Sequence, residues 1–313
     1  MGKIAFLFPG QGSQQVGMGK DFYNEFEVSK NIMEKANETL KIDLTKIIFE
    51  GPQETLTLTY NAQPALLTVS SAILAKFNEY GIQADYVAGH SLGEYSALVA
   101  AGVMTFEDAV YAVRKRGEFM EKAVPAGKGA MAAVLGMEMD KLEDLTNKVT
   151  EEGTVVQLAN LNCPGQIVIS GTKEGVEKVS ELAKENGAKR VIPLVVSGPF
   201  HSDLMKPAAD ELKNVLDKLT IQDASIPVIT NVTAQPIEKG DEIKEKLVEQ
   251  LYSPVRWEES VRTMIDLGVT TFIEIGPGKV LSGLVKKVNR RMKTYNIFDL
   301  ESMNSVISEL KEE

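Results

Sequence analysis

One stretch, YVAGHSLGEYSAL at 86–98, narrows the possible folds of this sequence more than any other. It holds a single G-x-S-x-G pattern, GHSLG at 89–93, between a short apolar, β-branched segment and a segment rich in Ala and Leu. A strand, a tight turn and a helix in that order form the context of a nucleophile elbow, in which a Ser hydroxyl stands above a sheet at a helix N-terminus. We therefore interpret Ser91 as a nucleophile. The alternative is a Ser that only caps a helix.

The rest of the chain alternates between strand-like and helix-like segments. KIAFLF (3–8) predicts a first strand, and SIPVITNVT (225–233) and TTFIEIGPG (270–278) predict later strands. TFEDAVYAVRKRGEFMEKA (105–123) has the apolar periodicity of a helix. Such alternation is typical of an α/β fold with a mainly parallel sheet.

The order of the predicted elements changes in the middle of the chain. Two helices fall among four strands in the order β-α-β-β-α-β, which is the ferredoxin-like motif. The four predicted strands cover residues 129–136, 154–161, 165–171 and 188–196. We therefore predict a ferredoxin-like subdomain at 126–196, inserted into a main core formed by 1–125 and 197–313.

Composition limits the class of function. The formal net charge of −10 argues against nucleic-acid binding, which usually requires an excess of basic residues. One Cys and two His cannot supply the usual zinc ligand sets, and Cys163 has no partner for an intramolecular disulfide. No secretory signal and no apolar run of about 18 residues is visible. We expect a cytoplasmic protein with no membrane span, no metal and no cofactor.

A Ser nucleophile needs a neighbouring base, and only two His residues are present. His90 directly precedes Ser91, and consecutive side chains at a strand end diverge, so we interpret His90 as a packed residue behind the elbow. His201 follows a predicted strand and a Gly-Pro break, on a loop, and the order Ser then His matches elbow enzymes. We therefore predict His201 as the base; the alternative is a surface His near a helix start. No carboxylate has a spacing that marks it as the third member.

The Gly-rich loop PGQGSQQVGMG (9–19) does not fit a phosphate-binding motif. Gln15 stands where G-x-G-x-x-G needs Gly, and Met18 stands where a P-loop needs Lys. A Gly-rich loop after a first strand can instead present backbone N–H groups to an oxyanion. The alternative is a flexible turn.

Arg116 lies at the edge of the apolar stripe of the predicted helix at 105–123. A cation at the edge of a buried face needs a partner. The guanidinium presents a planar, bidentate fork to carboxylates, so one hypothesis is a clamp for a carboxylate substrate. The other is an internal salt bridge.

Eight segments spread along the chain together resemble one known family: FLFPGQGSQ, GHSLGEYSAL, RGEFMEKAVP, GAMAAVLG, NCPGQIVISG, FHSDLMKPAADEL, QLYSPVRW and EIGPGKVLSGL. In this order they resemble the segments of malonyl-CoA:acyl carrier protein transacylases of type II fatty acid synthesis. The resemblance extends from residue 4 to about residue 290. It implies an α/β-hydrolase-like core with a ferredoxin-like subdomain, which agrees with the pattern of predicted elements.

The resemblance also implies roles for individual residues. Ser91 would take the malonyl group as an ester, His201 would act as general base and then as acid, and Arg116 would bind the malonyl carboxylate. The backbone N–H groups of Gln11 and Leu92 would form an oxyanion hole.

The implied reaction is ping-pong: malonyl-CoA acylates Ser91, CoA leaves, and the phosphopantetheine thiol of acyl carrier protein attacks the ester. Gln250 would belong to the site and help to position His201. In the family, carbonyl groups near the His orient it in place of an acid, which accounts for the missing third member. Phe200 resembles the Phe of a Phe-His pair in malonyl-selective domains, which favours malonyl over methylmalonyl.

Acyl carrier protein is acidic, as this chain is, so docking requires a local basic surface. The first candidate is LVKKVNRRMK (284–293), through Lys286, Lys287, Arg290 and Arg291, which we name the basic patch. The alternative for this segment is a solvated helix face. Lys189 and Arg190 form a second candidate.

Two other classes of function stay open. An esterase would use the same elbow, but an esterase for neutral acyl chains would not need the cation at Arg116. A non-catalytic scaffold that binds carrier protein would not need Ser91, His201, Arg116 and Gln11 together.

Overall fold

Two β-sheets organise residues 2–125 and 127–312, which are the residues that the computed structural model describes. The strands are β1 (Lys3–Phe8), β2 (Tyr86–Gly89), β3 (Gly129–Leu135), β4 (Val156–Cys163), β5 (Gln166–Thr172), β6 (Arg190–Pro193), β7 (Val228–Ile229), β8 (Pro236–Ile237), β9 (Val269–Ile275) and β10 (Lys293–Ile297). Residue 126, the predicted start of the smaller unit, lies outside the described residues.

Helices pack around both sheets. They are α1 (Lys20–Glu25), α2 (Glu27–Leu40), α3 (Leu44–Glu50), α4 (Gln53–Thr57), α5 (Thr59–Asn78), α6 (Gly93–Ala100), α7 (Phe106–Ala123), α8 (Met139–Glu151), α9 (Lys173–Glu185), α10 (Lys206–Leu216), α11 (Gly240–Glu249), α12 (Trp257–Asp266), α13 (Val280–Val288) and α14 (Leu300–Glu312), with a short 3-10 helix at Asp203–Met205. Of the helices in the described ranges, none has the length and apolar character that a bilayer crossing demands.

The larger sheet has the strand order β10-β9-β1-β2-β7-β8 and is parallel except for its last pair, β7 and β8. The inner strand β1 is buried on both faces: Phe6 and Phe8 join the core on one side, while Ala5 and Leu7 join the core on the other. Burial on both faces explains why residues 4–8 of this strand are all apolar. The predicted mainly parallel sheet is confirmed.

A second, antiparallel sheet has the order β4-β5-β3-β6. Its elements follow one another along the chain as β3, α8, β4, β5, α9 and β6. Helices α8 and α9 share an apolar core with the strands, to which Leu142, Val149, Val176 and Val179 contribute.

The carboxyl ends of β1 and β2 lie side by side, since Phe8 pairs with Gly89 in the parallel register. This register brings the Gly-rich loop after β1 against the elbow after β2. Gly93 lies so close to β1 that a Cβ there would be 2.0 Å from the carbonyl oxygen of Phe8. The Gly at this position of the elbow is therefore required by the close approach of the two segments.

Several predicted strand bounds are wrong. Only Val228–Ile229 of the predicted strand at 225–233 forms β7, because the polar groups that follow bind the elbow instead of a neighbouring strand. The strand predicted at 188–196 ends at Pro193, and Val195 beyond it is 96% exposed. Strand β10, at the edge of the sheet, was not predicted, because its composition KTYNI is mixed.

Candidate active site

The elbow between β2 and α6 holds Ser91 in a strained conformation. Its φ is 51°, in the left-handed region that a non-Gly residue occupies only at a cost of about 1–3 kcal/mol. Two amides fix the Ser91 backbone: its N–H donates to Asn231 Oδ1 at 2.7 Å, and its carbonyl accepts from Gln250 Nε2 at 3.1 Å. Asn231 Nδ2 also donates to the carbonyl of Gly89 at 2.7 Å, so one side chain bridges both arms of the turn.

His201 meets Ser91 directly. Nε2 of His201 lies 2.8 Å from Ser91 Oγ, and Nδ1 lies 2.8 Å from the backbone carbonyl oxygen of Gln250. Because a carbonyl can only accept, Nδ1 carries the proton and Nε2 is left to accept from the Ser91 hydroxyl. The His201 backbone is anchored as well, by donation from its N–H to the carbonyl of Leu251 at 3.1 Å. The imidazole is therefore oriented by a peptide carbonyl.

The protonation state of His201 is set by its surroundings. The side chain is 4% exposed, and its desolvation, followed by the positive charge of Arg116, lowers the pKa to about 3. The imidazole is therefore neutral at neutral pH, which is the state that can accept a proton from Ser91.

Arg116, on α7, also reaches Ser91 Oγ. Thr105 caps the N-terminus of this helix: its hydroxyl oxygen accepts from the N–H of Asp108 at 3.1 Å. Arg116 is 1% exposed, and its Nη2 donates to Ser91 Oγ at 3.1 Å and to Gln250 Oε1 at 2.8 Å.

The guanidinium of Arg116 forms no ion pair with the carboxylates of the described residues. Nε forms no hydrogen bond, and within the described ranges no salt bridge involves Arg116, whereas the neighbouring Arg114 pairs with Glu118. Burial lowers the pKa of Arg116 from its ordinary value. The hypothesis of an internal salt bridge is wrong for the described part of the chain, and a buried cation is left facing the cavity beside Ser91.

The cavity above Ser91 has a mixed wall. Its polar side includes Gln11, Gln14, Thr57 and Asn160, in addition to His201 and Arg116. Its apolar side consists of Met120, Met131, Leu194, Val195, Val196 and Phe200. A wall of this kind suits a small acyl group with one charged end.

The two predicted oxyanion-hole residues, Gln11 and Leu92, come from different segments near Ser91. Gln11 lines the cavity from the loop after β1, and Leu92 follows Ser91 at the start of α6. Neither backbone N–H donates to any described residue. Unused N–H groups at a helix start and a Gly-rich loop are the donors that a developing oxyanion requires.

His90 lies behind the elbow, where the sequence analysis placed it. Its Nε2 is 2.8 Å from Asn162 Oδ1, and its ring packs against that of Trp257 with the centroids 5.5 Å apart. Desolvation lowers its pKa. His90 also borders the cavity but is not the partner of Ser91 Oγ.

Two residues of this network, Glu94 and Asn231, were not predicted from the sequence. Glu94 is fully buried on α6, and burial raises its pKa to about 7. Its Oε2 accepts from the N–H of Asn231 at 2.8 Å and from Gln250 Nε2 at 3.1 Å. An acid within the apolar helix GEYSALVA was the available indication, since a buried charge needs partners.

The basic patch is exposed but is only partly helical. Lys286 and Lys287 lie in the last turn of α13, whereas Arg290 and Arg291 lie beyond its end at Val288. The alternative of a solvated helix face therefore fits only the two Lys residues. Lys287 Nζ donates to Gln166 Oε1 at 2.9 Å, at the start of β5.

The second basic candidate is near the first. The stem of Lys189 packs against Gly136, whose N–H donates to the carbonyl of Gly165 at 2.8 Å. Gly165 directly precedes Gln166, the partner of Lys287. Lys189 and Lys287 therefore flank one turn of the antiparallel sheet.

Known proteins are similar to this chain in sequence and in fold. The family model described as an acyl transferase domain matches residues 5–305. A malonyl CoA-acyl carrier protein transacylase of Bacillus subtilis (strain 168) is 67% identical over 313 residues, which cover 100% of this chain and 99% of the relative.

Solved structures agree. The malonyl CoA-acyl carrier protein transacylase of Clostridium perfringens is 43% identical, with a TM-score of 0.95 over 99% of this chain and 98% of the other. A malonyl-transacylase in complex with its type II PKS acyl-carrier protein is 41% identical, with a TM-score of 0.95 over 98% of this chain and 99% of the other. The chain therefore belongs to the acyl transferase family, among the malonyl CoA-acyl carrier protein transacylases.

Proposed function

We propose that this protein transfers the malonyl group from malonyl-CoA to the phosphopantetheine thiol of acyl carrier protein, through an ester on Ser91, and so feeds fatty acid synthesis. One observation carries the proposal: Ser91 Oγ lies 2.8 Å from His201 Nε2 and 3.1 Å from Nη2 of the buried Arg116, which lacks a carboxylate partner among the described residues. A nucleophile, its base and an anion clamp therefore meet at one atom.

In the first half-reaction, Ser91 Oγ attacks the thioester carbonyl carbon while His201 Nε2 takes the hydroxyl proton. The carbonyl oxygen becomes an oxyanion, which the N–H groups of Gln11 and Leu92 bind. The C–S bond then breaks, His201 returns its proton to the departing sulfur, and CoA leaves as the thiol. The malonyl group remains on Ser91 as an ester.

In the second half-reaction, the thiol of acyl carrier protein replaces CoA. His201 takes the thiol proton as the sulfur attacks the ester carbonyl, and the same two N–H groups bind the second oxyanion. The C–O bond breaks and Ser91 Oγ regains the proton from His201. A neutral imidazole is required at the start of both halves, and the lowered pKa of His201 supports that state.

Arg116 gives the site its preference for a dicarboxylic acyl group. In a malonyl ester the free carboxylate is separated from the reacting carbonyl by one methylene, so it stays within reach of a guanidinium that contacts Ser91 Oγ. A buried Arg with unfilled donors gains a charge-assisted pair when the carboxylate enters. Phe200, which is buried on the apolar wall, restricts the space beside the methylene and favours malonyl over methylmalonyl.

The basic patch is the proposed docking surface for acyl carrier protein. Its four side chains are exposed, and Lys189 and Arg190 extend the positive surface across the turn at Gly165. The chain as a whole is acidic, so a local concentration of cations is needed to attract an acidic partner.

We also propose the finer description of the architecture. The parallel sheet with its elbow is an α/β-hydrolase-like core of residues 1–125 and 197–313, and the antiparallel sheet is a ferredoxin-like subdomain at 126–196. The separate apolar core of the antiparallel sheet supports this division. The lone, buried Cys163 agrees with a reducing, cytoplasmic location.

A product analysis tests the proposed transfer. The protein is mixed with malonyl-CoA and holo acyl carrier protein, and the mass of the carrier protein and the release of free malonate are followed. We expect the carrier protein to gain one malonyl group with the wild type and not with Ser91→Ala. Release of malonate without transfer would indicate an esterase, and neither product would indicate a binding scaffold.

A further inference from the structure

Gln250 connects the two catalytic partners of Ser91. Its backbone carbonyl accepts from His201 Nδ1, and its side-chain Oε1 accepts from Arg116 Nη2. The amide must therefore present its oxygen to Arg116 and its NH₂ to the other side. A reversed amide would place two donors face to face and leave Arg116 without this acceptor.

Acceptors behind Gln250 decide which way its amide faces. Nε2 donates to the carbonyl of Ser91 at 3.1 Å and to Glu94 Oε2 at 3.1 Å. An ionised carboxylate accepts only, so Glu94 can face the NH₂ and not the oxygen of Gln250. Glu94 itself is fully buried, and its Oε2 is held by the N–H of Asn231 at 2.8 Å.

We infer that Glu94 is a positioning residue, whose Oε2 fixes the Gln250 amide and thereby holds Arg116 in register with Ser91 for the malonyl carboxylate. Glu94 touches neither Ser91 Oγ nor the cavity wall, so it acts through Gln250. This inference rests on the proposed function. The inference depends on the position of Glu94 Oε2. Glu94 Oε1 forms no hydrogen bond to a described residue, so a proton on Oε1 leaves Oε2 free to accept from Gln250.

Two substitutions separate the reach of Glu94 from its charge. Glu94→Gln keeps the length and can place its amide oxygen where Oε2 stands, but it removes the charge. Glu94→Asp keeps the charge but withdraws the acceptor by about 1.5 Å, the length of one C–C bond. Ser96→Ala, on the same buried helix, removes a hydroxyl that bonds to none of the described residues and serves as the control.

The readout is the ratio of kcat/KM for malonyl-CoA to kcat/KM for acetyl-CoA, with the thermal midpoint of each variant. Acetyl has no carboxylate, so general damage to the elbow lowers both values and leaves the ratio unchanged. We expect Glu94→Asp to lower the ratio about tenfold, as for the loss of one hydrogen bond to a charged group, while Glu94→Gln and Ser96→Ala stay within about twofold of the wild type.

Three results would overturn the inference. A wild-type ratio in Glu94→Asp would show that Arg116 needs no support from Glu94. A low ratio in Glu94→Gln with a normal ratio in Glu94→Asp would show that the charge of Glu94, and not the position of its oxygen, holds Arg116 in place. Equal loss on both substrates in both variants would indicate a purely structural role. If the wild type itself transferred no malonyl group, the proposed function would fail first, which is a distinguishable outcome.

Discussion

Replacement of Arg116 by Ala tests how the site selects its acyl group. Arg116 is 1% exposed and binds Ser91 Oγ and Gln250, and it forms no salt bridge with any of the residues described. Its removal would leave the malonyl carboxylate in a buried cavity without a cation. Loss of one partner from a buried ion pair costs about 3–5 kcal/mol, which corresponds to a loss of about 10²–10³-fold or more in kcat/KM.

Acetyl-CoA provides the internal comparison, because its acyl group carries no charge. Arg116→Ala removes one hydrogen bond to the Ser91 hydroxyl but no ligand for the acetyl group. We therefore expect transfer of acetyl, however slow, to persist or to rise while malonyl transfer falls. The assay is the initial rate of acyl transfer from each CoA ester to holo acyl carrier protein, at several substrate concentrations.

Arg114→Ala is the matched control. Arg114 lies two residues earlier on α7, but its guanidinium binds Glu118, Asn61 and the carbonyl of Tyr60. This variant removes the same side chain from the same helix and should keep the malonyl-to-acetyl ratio of the wild type. An equal loss of both activities in Arg116→Ala would refute the clamp and assign Arg116 a structural role.

Three further predictions follow from other parts of the structure. Asn231→Ala removes the acceptor for the Ser91 N–H, so we expect slower acylation and a free energy of unfolding lower by about 1–3 kcal/mol; unchanged acylation kinetics would contradict this support of the elbow. His201 has a folded pKa of about 3, below its unfolded value of 6.5, so its contribution to stability is lost as pH falls from about 6.5 toward 3. The free energy of unfolding of the wild type should therefore fall by about 2 kcal/mol through His201 between pH 7 and pH 5. Measured by denaturant unfolding, His201→Asn should lack this part of the pH dependence; the same pH dependence in both proteins would refute the buried neutral imidazole. Reversal of the four charges of the basic patch should raise KM for carrier protein and leave acylation by malonyl-CoA unchanged, and an unchanged KM would refute the patch.

The parts of the site that could be predicted from sequence patterns are those formed by residues close together in the chain. The strand, the turn and the helix around Ser91 are neighbours in the chain, and their apolar pattern indicated the elbow. The parallel sheet followed from the same alternation of strands and helices. The cation on α7 was identifiable because its position on the helix circumference places Arg116 against an apolar stripe.

Contacts between distant segments were not predictable in this way. Glu94 binds Asn231, which is 137 positions away, and Gln250 reaches Ser91 across 159 positions. Their meeting depends on the sheet order, which sets β7 beside β2 and brings the end of α11 to the elbow. The role of Gln250 came from family resemblance alone, and Glu94 and Asn231 were missed. Periodicity also overestimated the strand that becomes β7, because Asn231 binds the elbow in place of a neighbouring strand.

The most direct test of the account is the intact mass of the protein after brief mixing with malonyl-CoA in the absence of carrier protein. The account predicts one malonyl adduct on the wild type, none on Ser91→Ala, and release of the adduct when holo acyl carrier protein is added. An adduct that persists in Ser91→Ala, or a wild type that transfers malonyl while never carrying it, would contradict the ester on Ser91.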